Sequence, residues 1–169
     1  MNLSKKDLTY FDEETKQKYI PHVIEPSVGV ERLLYAILTE ATFIEKLAND
    51  EERILMNLKY DLAPYKIAVM PLVNKLKEKA EAVYNKILDL NVSVTFDNSG
   101  SIGKRYRRQD AIGTIYCITI DYDSFGDEHD PTFTIRERNT MAQKRIKLSE
   151  LSLYLSQKAH ENFQKQCQK

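Results

Sequence analysis

The chain lacks a net charge: among 169 residues, Lys+Arg and Asp+Glu both number 25. No long-range field gathers a polyanion onto the molecule as a whole, so any nucleic-acid site has to be local. It also lacks cysteine pairs. Cys117 and Cys167 are its only cysteines and form no CxxC motif, which excludes a disulfide framework and a cysteine zinc site and fits a reducing compartment. Cys117 reads as a small core hydrophobe. No apolar run approaches the roughly 20 residues that a bilayer span needs. The charged opening MNLSKKDLTYFDEETKQK is unlike a signal peptide. A soluble, cytoplasmic protein is expected. His22, His129 and His160 share no ligand spacing, so no metal is expected. Nucleophile signatures such as GxSxG are absent, as is the DxDxDG order of a calcium loop.

What is present divides near Tyr60. Residues 1–18 are polar and patternless. Two prolines bracket an extended HVIE piece. Val30, Leu33, Leu34, Ile37, Leu38, Ala41 and Ile44 then recur at three- and four-residue steps, which predicts a helix from about Gly29 to Leu47. The stretch from Arg53 to Pro64 is weakly periodic and reads as a linker. From Tyr65 the run YKIAVMPLV marks a strand buried on both faces. A Lys- and Glu-rich helix follows to Asn91, striped by Leu76, Ala80, Val83, Tyr84, Ile87 and Leu88, and then an alternating strand from Val92 to Phe96. The unit is β-α-β with parallel strands and a right-handed crossover. Residues 98–113 are basic and glycine-punctuated, residues 115–121 alternate as a further strand, and residues 121–130 form an acidic surface loop.

A hairpin turning at Asn139 to Ala142 opposes Ile135 with Ile146, Phe133 with Leu148 and Glu137 with Lys144 on one face. The other face carries Thr134, Arg136 and Arg138, with Arg136 against Arg145, so an anion is expected there. An amphipathic helix from Leu148 closes the chain through Leu151, Leu155, Ala159 and Phe163.

Two stretches carry chemistry. YIPHVIEPSVGVER places a carboxylate, a hydroxyl, a glycine and an arginine at the entry to a helix. One reading is a helix N-cap by Ser27, with Glu31 complementing the positive end and Arg32 solvated. SGSIGKRYRRQD packs Lys104, Arg105, Arg107 and Arg108 around Tyr106, and lacks the Walker spacing. It is either a solvated basic turn balancing the acidic loop or a contact to RNA phosphates with tyrosine free to stack.

Both stretches resemble glycyl-tRNA synthetases, members of the class II aminoacyl-tRNA synthetases. The first matches the IEPSxGxxR form of motif 3 at each fixed position, and DNSGSIGKRYRRQDAIGT with YCITIDYD and TIRERNT is similar to the anticodon-binding domain. The similarity runs from about Ser4 to Leu155. It implies an α/β fold, a mixed β-sheet flanked by helices, preceded by a helical remnant of the catalytic domain. The division is 1–60 for the end of that domain and 61–169 for the anticodon-binding domain. It also implies that Glu25 and Ser27 bind glycine, that Arg32 binds ATP, and that Arg105, Arg107, Arg108, Tyr116, Arg136 and Arg138 bind tRNA. Tyr116 stands where a phenylalanine is expected, and ordinary strand packing is its alternative role. The resemblance implies a parent enzyme that uses ATP with Mg2+, charges tRNA(Gly) and is a homodimer, with no DNA or membrane partner expected. Motifs 1 and 2 are missing, so this chain alone is expected to be inactive and to need no cofactor. A stand-alone nucleic-acid-binding accessory module is the second reading, and an α/β domain that binds only protein the third.

Overall fold

The computed structural model describes residues 5–47, 50–127 and 130–167, with side chains described to residue 159. Asn49, His129 and the side chains of His160 and Phe163 lie outside the described residues. The chain forms two compact units, Met1–Leu33 and Leu34–Lys169.

In the first unit a small antiparallel hairpin pairs β1 (Tyr10–Phe11) with β2 (Lys18–Tyr19). Tyr10 and Tyr19 oppose each other and meet edge to face at 5.8 Å. Helix α1 (Val30–Ala41) starts after Gly29, whose carbonyl accepts the Leu33 amide at 3.0 Å. Gly29 therefore takes the capping position that the sequence assigns to Ser27, while Glu31 does sit in the first turn.

In the second unit the helix ends at Ala41 rather than Leu47. Thr42–Lys46 is strand β3, paired antiparallel with β4 (Glu52–Met56), a segment that reads as linker in the sequence. Thr42, Phe43 and Ile44 are β-branched or aromatic and favour a pleated surface, and here a partner strand lies a short turn away. Ile44 continues the helical period by coincidence and is exposed. On β4 the inward residues are Arg53 and Leu55, both buried.

The main sheet has the order β6 (Val94–Phe96), β5 (Ile67–Pro71), β7 (Tyr116–Ile120), β8 (Thr132–Glu137), β9 (Gln143–Lys147). β6, β5 and β7 pair in parallel, and β8 is antiparallel to both of its neighbours, β7 and β9. As its apolar run predicts, β5 is central and buried throughout. Helix α2 (Lys77–Leu88) crosses from β5 to β6, and α3 (Ile102–Ile112) crosses from β6 to β7. The opposite directions of these two crossovers make a switch point at the carboxyl ends of the parallel strands. On one face Ile67, Val69, Ile118, Phe133 and Ile135 pack with Ala80, Val83 and Ile87 of α2 and Leu151 and Leu155 of α4 (Leu148–Cys167). On the other face Ala68, Met70 and Cys117 pack beneath Ile102 and Tyr106 of α3.

The β8–β9 register differs by two residues from the sequence expectation: Phe133 opposes Ile146, Ile135 opposes Lys144 and Arg136 opposes Gln143. The turn sits one residue earlier than expected, enclosing residues 138–141, with the Glu137 amide donating to the Ala142 carbonyl at 3.0 Å. The Met141 amide donates to the Glu137 carbonyl at 3.0 Å, with Met141 at a φ of 57°. A shift of two preserves the alternation of faces, so Phe133, Ile135 and Ile146 are all buried as expected. Lys144, which has lost Glu137 as a direct partner, lies over the Tyr154 ring.

Helix α3 ends on Gly113 at a φ of 82°, and a Cβ there would meet the Met56 carbonyl at 3.1 Å. Gly113→Ala is expected to cost about 1–2 kcal/mol in urea unfolding, because a side chain strains the left-handed backbone and crowds the β4 end; an unchanged midpoint would contradict this.

Candidate nucleic-acid interface

Helix α3 sorts its charges by face. Its buried residues are Arg105, Gln109 and Asp110, while Ser101, Gly103, Lys104 and Arg108 are exposed. Tyr106 is half-buried and its hydroxyl shares a 2.6 Å hydrogen bond with Thr119 Oγ1.

The inner face holds an ionic cluster. Asp110 accepts Arg136 Nη1 on Oδ1 at 2.9 Å and Arg136 Nη2 on Oδ2 at 3.0 Å, and Arg53 Nη1 joins Oδ2 at 3.0 Å. Arg53 also donates from Nε to the Glu45 carboxylate and from Nη1 to the Arg138 carbonyl at 3.0 Å. The Arg136 guanidinium stacks over the Tyr106 ring at 4.9 Å from its centre. Arg138 donates to the Gly113 and Leu58 carbonyls, each at 2.8 Å, and to Asn57 Oδ1 at 2.9 Å.

Four of the six residues expected to bind tRNA, Arg105, Tyr116, Arg136 and Arg138, are buried. Arg136 and Arg138 are 5% and 4% exposed, and the anion expected beside Arg136 is supplied internally by Asp110. Burial pulls the Arg136 guanidinium down, but the Asp110 hydrogen bonds and charge outweigh it and hold it above its ordinary value. Arg138 has no carboxylate bonded to it among the described residues, and burial shifts it downward. Tyr116 is 1% exposed and meets Tyr154 of α4 edge to face at 5.8 Å, on the face of the sheet away from α3. Arg105 is buried, donating from Nη1 to the Pro71 carbonyl and from Nη2 to the Gly100 carbonyl at 2.7 Å. No sequence pattern points to Arg53, Glu45 and Asp110 as a cluster, because Asp110 meets Arg53 and Arg136 across elements far apart along the chain.

The outer surface keeps Arg107, Arg108 and Lys104. Arg107 donates from Nη1 to the Glu52 carbonyl at 2.6 Å and from Nη2 to the Glu51 carboxylate. Arg108 grips Asp97 with Nε at 2.9 Å and Nη2 at 2.6 Å, and Gln109 adds a third donor at 3.1 Å. Burial pushes the Asp97 carboxyl up, but bonds from Arg108, Gln109 and the Ser99 amide outweigh it and leave it below its usual range. On the exposed edge strand β9, Arg145 forms a bidentate pair with Asp121 at 2.8 Å on both arms. Burial pushes the Cys117 thiol up to about 12, which leaves it protonated and unreactive.

Glu25, Ser27 and Arg32 are exposed, as are the neighbouring Val23, Ile24, Val28 and Val30. Among the described residues no three His, Cys, Asp or Glu side chains group as a metal site. No helix among them is long and apolar enough to cross a membrane.

The profile of the anticodon binding domain family matches residues 66–158, which takes in the whole five-stranded sheet. Over all 169 residues the chain is 98% identical to the glycine–tRNA ligase of Ureaplasma parvum serovar 3, and it covers 36% of that protein. It is 55% identical over 161 residues to the glycine–tRNA ligase of Malacoplasma penetrans, covering 95% of this chain and 34% of that one. The chain thus spans about a third of the length of the curated relatives it matches. Among solved structures, the RNA-binding domain of threonyl-tRNA synthetase from Cryptosporidium parvum superposes with a TM-score of 0.54 at 25% identity, over 60% of this chain and 25% of that one. A profile that spans more than half of the sequence, on a mixed sheet of matching architecture, means that this chain belongs to the anticodon binding domain family.

Proposed function

We propose that this chain is the tRNA-reading part of a glycine–tRNA ligase and binds the anticodon arm of tRNA(Gly). The observation that carries the reading is the pairing of similarity to glycine–tRNA ligases along the whole of this chain with a basic outer strip on α3 on which Lys104 and Arg108 are exposed. Lys104, Arg107 and Arg108 are the residues we assign to RNA, and Arg105, Tyr116, Arg136 and Arg138 are the frame that holds them. Guanidinium groups already pointed outward can exchange a carboxylate partner for a phosphate at small net cost, since exposed ion pairs contribute little.

In this reading residues 1–60 close a catalytic domain and residues 61–169 form the anticodon-binding domain. Glu25 and Ser27 contact glycine, and Arg32 contacts ATP. The exposure of Arg32 suits a planar guanidinium meant for an adenine or a phosphate. Mg2+ enters this reading only with ATP, where one or two carboxylates and the nucleotide phosphates suffice to hold it. The whole ligase works in the cytoplasm as a homodimer. The exposed apolar residues from Val23 to Leu34 are then the surface that the rest of the enzyme covers.

The test is binding of tRNA(Gly) against the same tRNA with a substituted anticodon, across a salt series. Base readout predicts a discrimination of roughly 1–3 kcal/mol for each replaced base that is contacted, with parallel salt slopes, because phosphate contacts are common to both. Equal affinities at every salt concentration would refute anticodon reading.

A further inference from the structure

We propose that Asp97 is a positioning residue for RNA binding: it grips one edge of the Arg108 guanidinium and so presents the remaining nitrogen, Nη1, to a backbone phosphate. This role rests on the tRNA-binding reading above and adds to it the group that aims one of its arginines.

Asp97 follows the last residue of β6, and its amide donates to the Val69 carbonyl of β5 at 3.0 Å, so the base of its side chain is fixed by the sheet. The residue is 8% exposed. Its carboxylate accepts Arg108 Nε at 2.9 Å, Arg108 Nη2 at 2.6 Å, Gln109 Nε2 at 3.1 Å and the Ser99 amide at 3.2 Å. Gln109 is itself held, because its Oε1 accepts the hydroxyl of the fully buried Thr114 at 2.7 Å. Thr114, Gln109 and Asp97 thus form a buried chain of hydrogen bonds that ends on an exposed arginine. Asp97 cannot readily give Arg108 up, since release leaves a buried carboxylate with neutral donors only, and a buried charge stripped of its ion partner is costly. The Arg107–Glu51 pair differs, because both of its members are exposed and open to exchange.

Counting donors shows what Arg108 has left to offer. A guanidinium carries five N–H groups. Nε and Nη2 go to Asp97, and Nη2 also donates to the Ser99 carbonyl at 2.9 Å. The Nη1 hydrogens bond no acceptor among the described residues, and the side chain is 44% exposed. In a planar fork they lie away from the edge that Asp97 holds. Asp97 has two opposed effects on a phosphate bound there. As a charge it repels the phosphate across the width of the guanidinium, which in water changes affinity by about twofold at low salt and less at physiological ionic strength. As an anchor it removes in advance the rotamer freedom that a solvated arginine loses on binding, an effect of up to about thirtyfold when the whole side chain is ordered. Anchoring wins. Removing the carboxylate therefore weakens RNA binding, although it makes the protein more positive.

The test uses the 169-residue chain, with the tRNA(Gly) anticodon stem-loop as probe and a urea midpoint for each variant. Asp97→Asn is expected to bind about five- to tenfold more weakly than the parent, and Arg108→Ala about tenfold more weakly. The double variant should bind no worse than Arg108→Ala, because the carboxylate acts through that arginine. Arg108→Lys keeps the charge at an exposed position but has no fork to grip, and it should lose about fivefold. It carries the test if Asp97→Asn fails to fold. The Arg108 Nε–H resonance adds a signature that stability alone does not move: slow to exchange with solvent in the parent, it should be lost in folded Asp97→Asn. Tighter or unchanged binding by folded Asp97→Asn, or unchanged binding by Arg108→Lys, overturns the positioning role and leaves the tRNA reading intact. So does a loss from Asp97→Asn that persists in full on top of Arg108→Ala, since the carboxylate then acts only on the fold. A parent chain that takes no stem-loop at any salt concentration overturns both.

Discussion

Asp110→Ala is expected to lower the stability of this domain by about 3–5 kcal/mol, the usual cost of removing one partner from a buried ion network. The carboxylate is almost fully buried and is the shared acceptor of two guanidinium groups from different elements, Arg53 on β4 and Arg136 on β8. Its removal strands both. Arg53 keeps Glu45, but Arg136 retains only its stacking over Tyr106 among the described contacts. Small domains hold a net stability of roughly 5–15 kcal/mol, so the variant should unfold at far lower urea, or fail to fold at growth temperature. Asp110→Asn should also be costly, since an amide keeps one acceptor but not the charge that balances two arginines. The converse substitution separates a network from simple packing. Replacing Arg53, Asp110 and Arg136 together by Leu or Met should recover most of the loss, because apolar groups of similar volume leave no charge stranded. A urea midpoint for Asp110→Ala within about 1 kcal/mol of the parent would show that the cluster contributes little.

That cluster also marks the limit of what the sequence discloses. The sheet was legible because its signals are local: the apolar run at β5, the stripe on α2 and the alternation of β6 and β7 each lie within one element. Even the hairpin error left the faces correct, since a slip of two residues does not exchange them. The end of α1 was misread because Ile44 fits a helical step as well as a strand one, and only the pairing of Ile44 with Ile54 decides between them. The burial of Arg136 and Arg138 is illegible for a different reason. Arginines in an alternating strand are usually solvated, and their real partners, Asp110, Gly113, Leu58 and Asn57, lie 25 to 81 residues away. Tyr116 was open to two readings because alternation fixes that a side chain points to one face, not which helix covers that face. On α3 the order of charges is visible, but the division into a buried Arg105, a half-buried Arg107 and an exposed Lys104 and Arg108 depends on how the helix lies against Met70 and Cys117.

Lys104→Glu combined with Arg107→Glu should weaken tRNA(Gly) binding by about a hundredfold while leaving the urea midpoint within about 0.5 kcal/mol of the parent. The first half follows from losing two charge-assisted phosphate contacts at roughly 1.4 kcal/mol apiece, each a tenfold effect, with added repulsion from the new carboxylates. The second half follows from exposure. Lys104 forms no ion pair among the described residues, and the Arg107–Glu51 pair is exposed on both sides, so its loss costs little. The salt dependence gives an independent reading, since two fewer phosphate contacts should flatten the slope of log K against log salt by about two. Asp110→Ala should show the opposite pattern, a large fall in stability and, where folded protein remains, an affinity reduced only through the unfolded fraction. This contrast separates the two rows of arginine that one sequence segment brings together. If Arg136→Ala abolished RNA binding in protein that is demonstrably folded, whereas the Lys104 and Arg107 reversals did not affect it, then bases or phosphates would have to reach the inner face of α3. The assignment of the outer strip would then be wrong.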